Sequence, residues 1–436
     1  MPAHGAHGMT RIAPACPATI VLGKALCLFL VIVWTPLQRF ILQVDGKGRL
    51  VAAALALALL CEVVNRGAHL LRDPRVKLLS LWTAWCLLNT MVFQDFGPNP
   101  LTPWELAVSV LFPWAVYLLY CKSDEREAGL YAKTFVLAVA AYLVLTLLFD
   151  ERNLDNRLGL VLNANEIAYV ALLGMLATGF LTTRASQRLF PLTAAVALLF
   201  SAITASKKAA LSALAYIGVR LLAKELGTVR QQLVALAKVG AVVLVAVWGL
   251  LNIFDHTVLA QRVQRTIERE QQISQVEKLF EGRARFYVRG WKLFVRHPVT
   301  GVGLRNYQRL ANDFHVAHSE YVVQFAECGL IGFLLFAAFH WVLLRRLVRL
   351  GAAPSPPDDD RARQLLCAYG CILLMMLGRW TYDHMPTAAF FALVAATTDR
   401  RLAREVDEGE DDDDDENEEE WDVGCDREDE CNREDE

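Results

Sequence analysis

Cations and histidines are costly inside apolar stretches, so the places where they recur beside such stretches are where chemistry is to be sought. This chain has four such patches. The stretch Gly282–Gly332, GRARFYVRGWKLFVRHPVTGVGLRNYQRLANDFHVAHSEYVVQFAECGLIG, carries Arg283, Arg285, Arg289, Arg296, Arg305, His315 and His318. TASKK (204–208) places Lys207 and Lys208 between two apolar runs, NANE (163–166) includes Asn165, and GRWTYDH (378–384) includes Arg379. A basic side chain at the centre of an apolar helix costs about 2.5–3.5 kcal/mol on insertion scales. It persists where it lines a wet cavity or binds an anion. Several cations gathered in one cavity suit a dianionic lipid pyrophosphate, whose oxygens match the paired donors of arginine. A histidine adds a group that titrates near neutrality and can take the proton of an incoming hydroxyl. Taken singly, Lys208, Arg285 and Arg289 read more simply as snorkelling interface residues, and His315 as a loop histidine. A lone G-x-G, here Gly301 and Gly303, is a weak phosphate signal without a strand–turn–helix context.

The elements that must position these groups are helices in a membrane. Of the 436 residues 55% are hydrophobic, and they are gathered into runs long enough to cross about 30 Å of hydrocarbon. Such continuous runs exclude the short alternating strands of a barrel. Spans are expected near 18–42, 50–65, 76–93, 104–121, 130–149, 164–182, 189–205, 208–223, 233–253, 321–345, 364–384 and 386–399. The fold class is therefore all-α: a polytopic membrane protein of about twelve transmembrane helices. Lys and Arg concentrate in alternate short loops, around Arg72–Lys77, Lys122, Arg184, Lys224, Arg345–Arg363 and Arg400. That assigns those loops and both termini to the cytoplasm. The interval 254–320 then falls outside it, as a large helical periplasmic loop between the ninth and tenth helices, broken near Gly282.

Four regions follow: membrane helices over 1–253, the loop over 254–320, further helices over 321–404, and an acidic tail over 405–436. The tail reads as a solvated, unstructured extension, and it hides a basic remainder behind a net charge of −3. Of ten cysteines, seven lie in or beside apolar runs without metal-ligand spacing, and read as small core hydrophobes. The N-terminus reads as a retained first helix rather than a signal peptide.

The polar residues together resemble a known family. An arginine is followed four residues later by an aromatic, then HPxxGxG, a polar gap, His-Ser, an aromatic, and E-x-G-x-x-G. The carriers are Arg283, Tyr287, His297, Pro298, Gly301, Gly303, His318, Ser319, Tyr321, Glu327, Gly329 and Gly332. Upstream, LNANEIA (162–168) and TASKKAAL (204–211) are similar to two further motifs of the same family. The pattern, over roughly 160–335, resembles the O-antigen ligase and polymerase superfamily of bacterial membrane glycosyltransferases.

The resemblance implies transfer of a glycan from undecaprenyl pyrophosphate to an acceptor hydroxyl, such as lipid A–core oligosaccharide, at the periplasmic face of the inner membrane. It implies no cofactor, no required metal and no nucleic-acid partner. Carried over position by position, the family's loop arginine falls on Arg283, its histidine on His318 and its helix-end arginine on Lys207. The last is a departure, because lysine keeps the charge and loses the bidentate fork. Tyr287 and Ala164 depart from the Trp and Pro usual there. Arg283 and Lys207 are then expected to stabilise the leaving pyrophosphate, with Arg285, Lys208, Arg305, Arg379 and Asn165 in support. His318 is expected to deprotonate the acceptor, in a displacement that inverts the anomeric carbon. Glu320 and Glu327 are placed to orient the imidazole or to replace it. A repeat-unit polymerase and a protein O-oligosaccharyltransferase share this chemistry and differ in acceptor. A transporter would call for repeated halves and charges at mid-helix, which the sequence does not display.

Overall fold

The structure is a computed structural model. It describes residues 18–42, 55–56, 58–59, 62–63, 70, 72–93, 107–150, 162–181, 183–204, 206–223, 283–310, 319–352, 361–377, 381 and 384–399. Every regular element among them is helical. In chain order these are α1 (Ala18–Pro36, continued by a wider turn over Leu37–Leu42), α2 (Pro74–Phe93), α3 (Phe112–Tyr120), α4 (Glu125–Phe149), α5 (Ala164–Ala177) and α6 (Thr183–Ile203). There follow α7 (Lys207–Ala223), α8 (Arg283–Arg296), α9 (Asn306–Leu310), α10 (Glu320–Ala352) and α11 (Arg361–Met376). The last, α12, covers 385–399.

Three stretches among the described residues are long and apolar enough to cross a membrane: Ala18–Ile41, Arg126–Phe149 and Glu320–Leu350. Shorter apolar helices cover Ser109–Tyr120, Ala164–Phe180, Arg188–Ile203 and Ala362–Met376. The expected span over 233–253 and the tail over 405–436 lie outside the described residues. Two expected boundaries are corrected. The span expected over 364–384 stops at Met376, and GRWTYDH is the connection from α11 to α12 rather than a helix end, with Thr381 and His384 non-helical. The span expected to begin at 130 begins at Glu125, where Asp124 and Glu127 form a reciprocal capping box, a start signal hydropathy does not read.

The helices pack α1 on α4, α4 on α5, α5 on α6, α7 on α6 and α11, and α10 on α2, α8 and α11. Leu22, Leu26, Leu137, Leu148 and Leu374 remain exposed on the outside, as they would against hydrocarbon. Hydroxyls in these helices bond back to their own backbone, Thr90 to Cys86, Thr146 to Tyr142 and Ser201 to Ala197. That satisfies groups no water would reach in lipid.

One end of the bundle is tied by charge. Asp399 of α12 binds Arg75 of α2 at 2.5 Å and Lys122 at 2.8 Å, and also pairs with Arg346 of α10. Asp73 pairs with Arg75 and, at 2.6 Å, with Lys122. Burial works against the Asp73 anion, yet hydrogen bonds and charge from Arg75 and Lys122 hold its carboxyl well below the usual range. Positions far apart in sequence, all drawn from the loops rich in Lys and Arg, therefore meet at one face. The functional patches start from the opposite ends of the same helices.

Candidate functional site

The motif glycines build a joint between the loop and α10. Within α10 the backbone at Gly329 is not helical, with φ 64° and ψ −168°. A regular helix would bond the N–H of Leu330 to the carbonyl of Ala326, and that of Ile331 to Glu327. Here the HPVTGVG turn inserts between them. Val302 N–H donates to Ala326 O at 3.0 Å and Gly303 N–H to Glu327 O at 2.8 Å. On the other side, Leu330 N–H donates to Pro298 O at 2.8 Å and Ile331 N–H to Val299 O at 3.4 Å. Two helical bonds are thus exchanged for four bonds to the turn, so the break leaves none of these four groups wanting in a medium where an orphan is expensive.

The glycines are required because backbone meets backbone. A Cβ on Gly301 (φ 74°) would lie 2.5 Å from Glu327 C and O and from Gly329 N. A Cβ on Gly329 would lie 2.4 Å from Val299 O and 2.5 Å from Gly301 N. The joint is then pinned by α2. Asn89 Nδ2 donates to Glu327 O at 2.8 Å, Trp85 Nε1 to Cys328 O at 2.9 Å, and Leu304 N–H to Thr90 Oγ1 at 3.1 Å.

The side chains around the joint continue it. Glu327 is buried, and its Oε1 accepts from Tyr307 N–H at 3.2 Å; Tyr307 in turn donates to Phe286 O of α8 at 2.7 Å. Glu320, also buried, accepts from Gln324 at 2.8 Å and from the backbone and hydroxyl of Thr381 at 2.5 and 3.2 Å. Trp82 Nε1 closes that chain on Gln324 Oε1 at 3.0 Å. The described partners of both carboxylates are thus the turn and the α11–α12 connection, which gives them a positioning role.

The expected site residues fall as follows. Arg283 and Arg285 lie in the first turn of α8, which packs on α10. Lys207 opens α7 and is exposed, with Lys208 beside it half-buried. Asn165 stands at the second residue of α5, its N–H donating to the Asn163 cap at 2.9 Å. Arg305 follows the turn with φ 58° and is half-buried. His318, His315 and Arg379 lie outside the described residues; Ser319 and Thr381, in the same two segments, are joined through Glu320.

A contact that sequence reasoning missed joins NANE to GRWTYDH. His384 Nε2 lies 3.9 Å from Glu166 Oε1. The other ring nitrogen, Nδ1, is 2.8 Å from Thr387 Oγ1, and the Thr387 hydroxyl donates to Tyr169 Oη at 3.2 Å. Both motifs were visible, but the partnership of positions so far apart in the chain carries no local signal. The starts of α5, α10 and α12 are hence drawn to one end of the bundle, each presenting unsatisfied N–H groups and the positive end of its dipole. Beneath Thr381 and Thr387 runs a slot of about 540 Å³, walled by Trp82, Trp114, Tyr117, Phe336, Phe339 and Phe391.

This end can hold an anion at helix N-termini and beside lysine and arginine, can hold hydroxyl groups at Glu166 and His384, and has an apolar slot next to both. No curated protein matches the chain. Residues 156–337 match the family model described as O-antigen ligase, a stretch that takes in α5 to α9, the glycine joint and the first half of α10. Through it the chain is a member of the O-antigen ligase superfamily.

Proposed function

We propose that the protein is a membrane glycosyltransferase that moves a glycan from undecaprenyl pyrophosphate to an acceptor hydroxyl, with lipid A–core oligosaccharide as the acceptor, at the periplasmic face of the inner membrane. The observation that carries this reading is the family match over 156–337, which contains Lys207, Arg283 and His318. The anomeric carbon of such a donor already bears its leaving group. What the protein must supply is charge for the departing pyrophosphate and a base for the incoming hydroxyl. Arg283 and Lys207 fill the first role, supported by Lys208, Arg285, Arg305, Arg379 and the N-terminus of α5 at Asn165. His318 fills the second: the O–H proton passes to its imidazole as the new glycosidic bond forms and the bond to the pyrophosphate oxygen breaks, with inversion.

The rest of the fold serves that reaction. The joint of Gly301, Gly303 and Gly329 holds α8, with Arg283, against the start of α10, two residues after His318. The slot walled by aromatic residues is suited to part of an isoprenoid chain. Exposed Trp291, Val288 and Val295 of α8, beside Lys292 and Arg296, suit a helix resting at the membrane surface. In this reading the regions are 1–253, 254–320, 321–404 and 405–436, and both termini are cytoplasmic.

The test is a deletion strain complemented with wild type or His318→Ala. Loss of the ligase leaves finished glycan on its polyprenyl carrier, and His318→Ala reproduces that loss although the protein is inserted in normal amounts. Single repeats capped on the core would instead identify a polymerase, and unglycosylated secreted protein with intact lipopolysaccharide would identify a protein glycosyltransferase.

A further inference from the structure

Glu166 and His384 are placed as a socket for one hydroxyl group. Because the Thr387 hydroxyl gives its hydrogen to Tyr169, its oxygen is left to accept from the imidazole, so His384 carries hydrogen on Nδ1. The ring is further fixed by packing on Tyr169, with centroids 5.4 Å apart, and by its place at the start of α12, where its carbonyl accepts from Ala388 N–H at 3.2 Å. Nε2 is therefore the nitrogen turned towards a ligand. It faces Glu166 Oε1 across 3.9 Å, too far for a direct hydrogen bond. An oxygen seated about 2.8 Å from both atoms fits that gap, bonded to each with an angle of roughly 90° between them.

We infer that Glu166 and His384 bind a sugar hydroxyl in the transfer site, the hydroxyl donating to the carboxylate and meeting the imidazole Nε2 with its oxygen. A carboxylate and an imidazole side by side can satisfy both the donor and the acceptor capacity of a hydroxyl, which a phosphate oxygen, an acceptor only, cannot use against a carboxylate. The pair is open enough to be reached, Glu166 at 28% and His384 at 10% side-chain exposure. It also lies at the end of the bundle where Glu320 ties the α11–α12 connection to the start of α10. The inference rests on the glycosyltransferase reading, and the hydroxyl belongs to either the donor glycan or the acceptor glycan.

Purified full-length protein in nanodiscs, supplied with a polyprenyl-pyrophosphate-linked glycan and a core-oligosaccharide acceptor, separates the cases. Glu166→Gln and His384→Gln each raise KM for one of the two substrates by about 10- to 100-fold, the cost of a hydrogen bond to a charged group, with kcat within about threefold of wild type. The substrate whose KM rises is the one that owns the hydroxyl. Unchanged KM for both substrates, or a fall in kcat with both KM values held, overturns the socket. Thr387→Val, which removes only the tautomer anchor, raises the same KM by less; an equal effect on both substrates counts against the inference. Should the wild type transfer nothing from any lipid-linked glycan, it is the glycosyltransferase reading that fails.

Discussion

Replacing Gly329 with alanine is the sharpest perturbation of the joint between loop and membrane helix. Its φ of 64° and ψ of −168° lie in a region essentially reserved for glycine, where another residue costs about 1–3 kcal/mol. The new Cβ would also stand 2.4 Å from Val299 O and 2.5 Å from Gly301 N, against an ordinary contact of 3.4 Å or more. The turn and the helix must then part by about 1 Å, which stretches the 2.8 Å bonds of Leu330 to Pro298 and Gly303 to Glu327 beyond useful reach. Each buried group so orphaned costs about 1–3 kcal/mol, so the joint as a whole loses about 3–9 kcal/mol. That is comparable to the whole stability of many proteins, about 5–15 kcal/mol. Gly329→Ala and Gly301→Ala are expected to lower the apparent melting temperature in detergent by many degrees, or to release the loop locally, and in either case to abolish glycan transfer. Gly129→Ala and Gly370→Ala are the controls: both glycines are helical with nothing within 4 Å of the added carbon. Alanine there gains about 0.5–1 kcal/mol of helix preference. A Gly329→Ala protein with unchanged melting and unchanged activity would refute the joint.

Three further outcomes follow from the same geometry. Trp85→Phe removes the indole donor to Cys328 O and costs about 1 kcal/mol, seen as a fall of a few degrees in melting temperature. Lys207→Arg keeps or improves transfer, because arginine restores the bidentate fork, whereas Lys207→Ala lowers kcat by about 10²-fold; the readout is initial rate of transfer from the lipid-linked donor. The Asp73 carboxyl is held below its ordinary range by Arg75 and Lys122 in the folded protein, so its stabilisation is complete above the unfolded value of about 4 and is lost as pH falls through the depressed folded value. Acidification below about pH 4 therefore lowers the wild-type melting temperature, while Asp73→Asn starts lower at neutral pH and loses less over that window.

Much of the architecture is local information. A run of apolar residues such as Ala18–Ile41 or Arg126–Phe149 must be helical because its peptide groups have no other partner in lipid, and that can be read without knowing its neighbours. The linear spacing of His297, Gly301, Gly303, Glu327 and Gly329 is likewise on the surface of the sequence, and with Arg283 and His318 it leads to the O-antigen ligase superfamily. Helix ends were read less well. Met376 ends α11 well before GRWTYDH does, because a polar connection with several large side chains keeps its mean hydropathy high.

What only the tertiary structure decided is which distant residues complete one another. The sequence presents HPVTGVG and ECGLIG as two motifs; the fold makes them one, by threading the carbonyls of Pro298 and Val299 and the amides of Val302 and Gly303 into a gap in α10. Glu327 changes from an expected partner of an imidazole to a clamp on Tyr307 and the turn. Glu166 and His384, 218 positions apart like Tyr169 and Thr387 beside them, meet only because α5 and α12 start at the same end of the bundle. Hydropathy sums over some twenty neighbours along the chain, whereas a hydrogen bond depends on the position of two atoms to within half an ångström. The first survives as a pattern in one dimension, and the second exists only once the helices have packed.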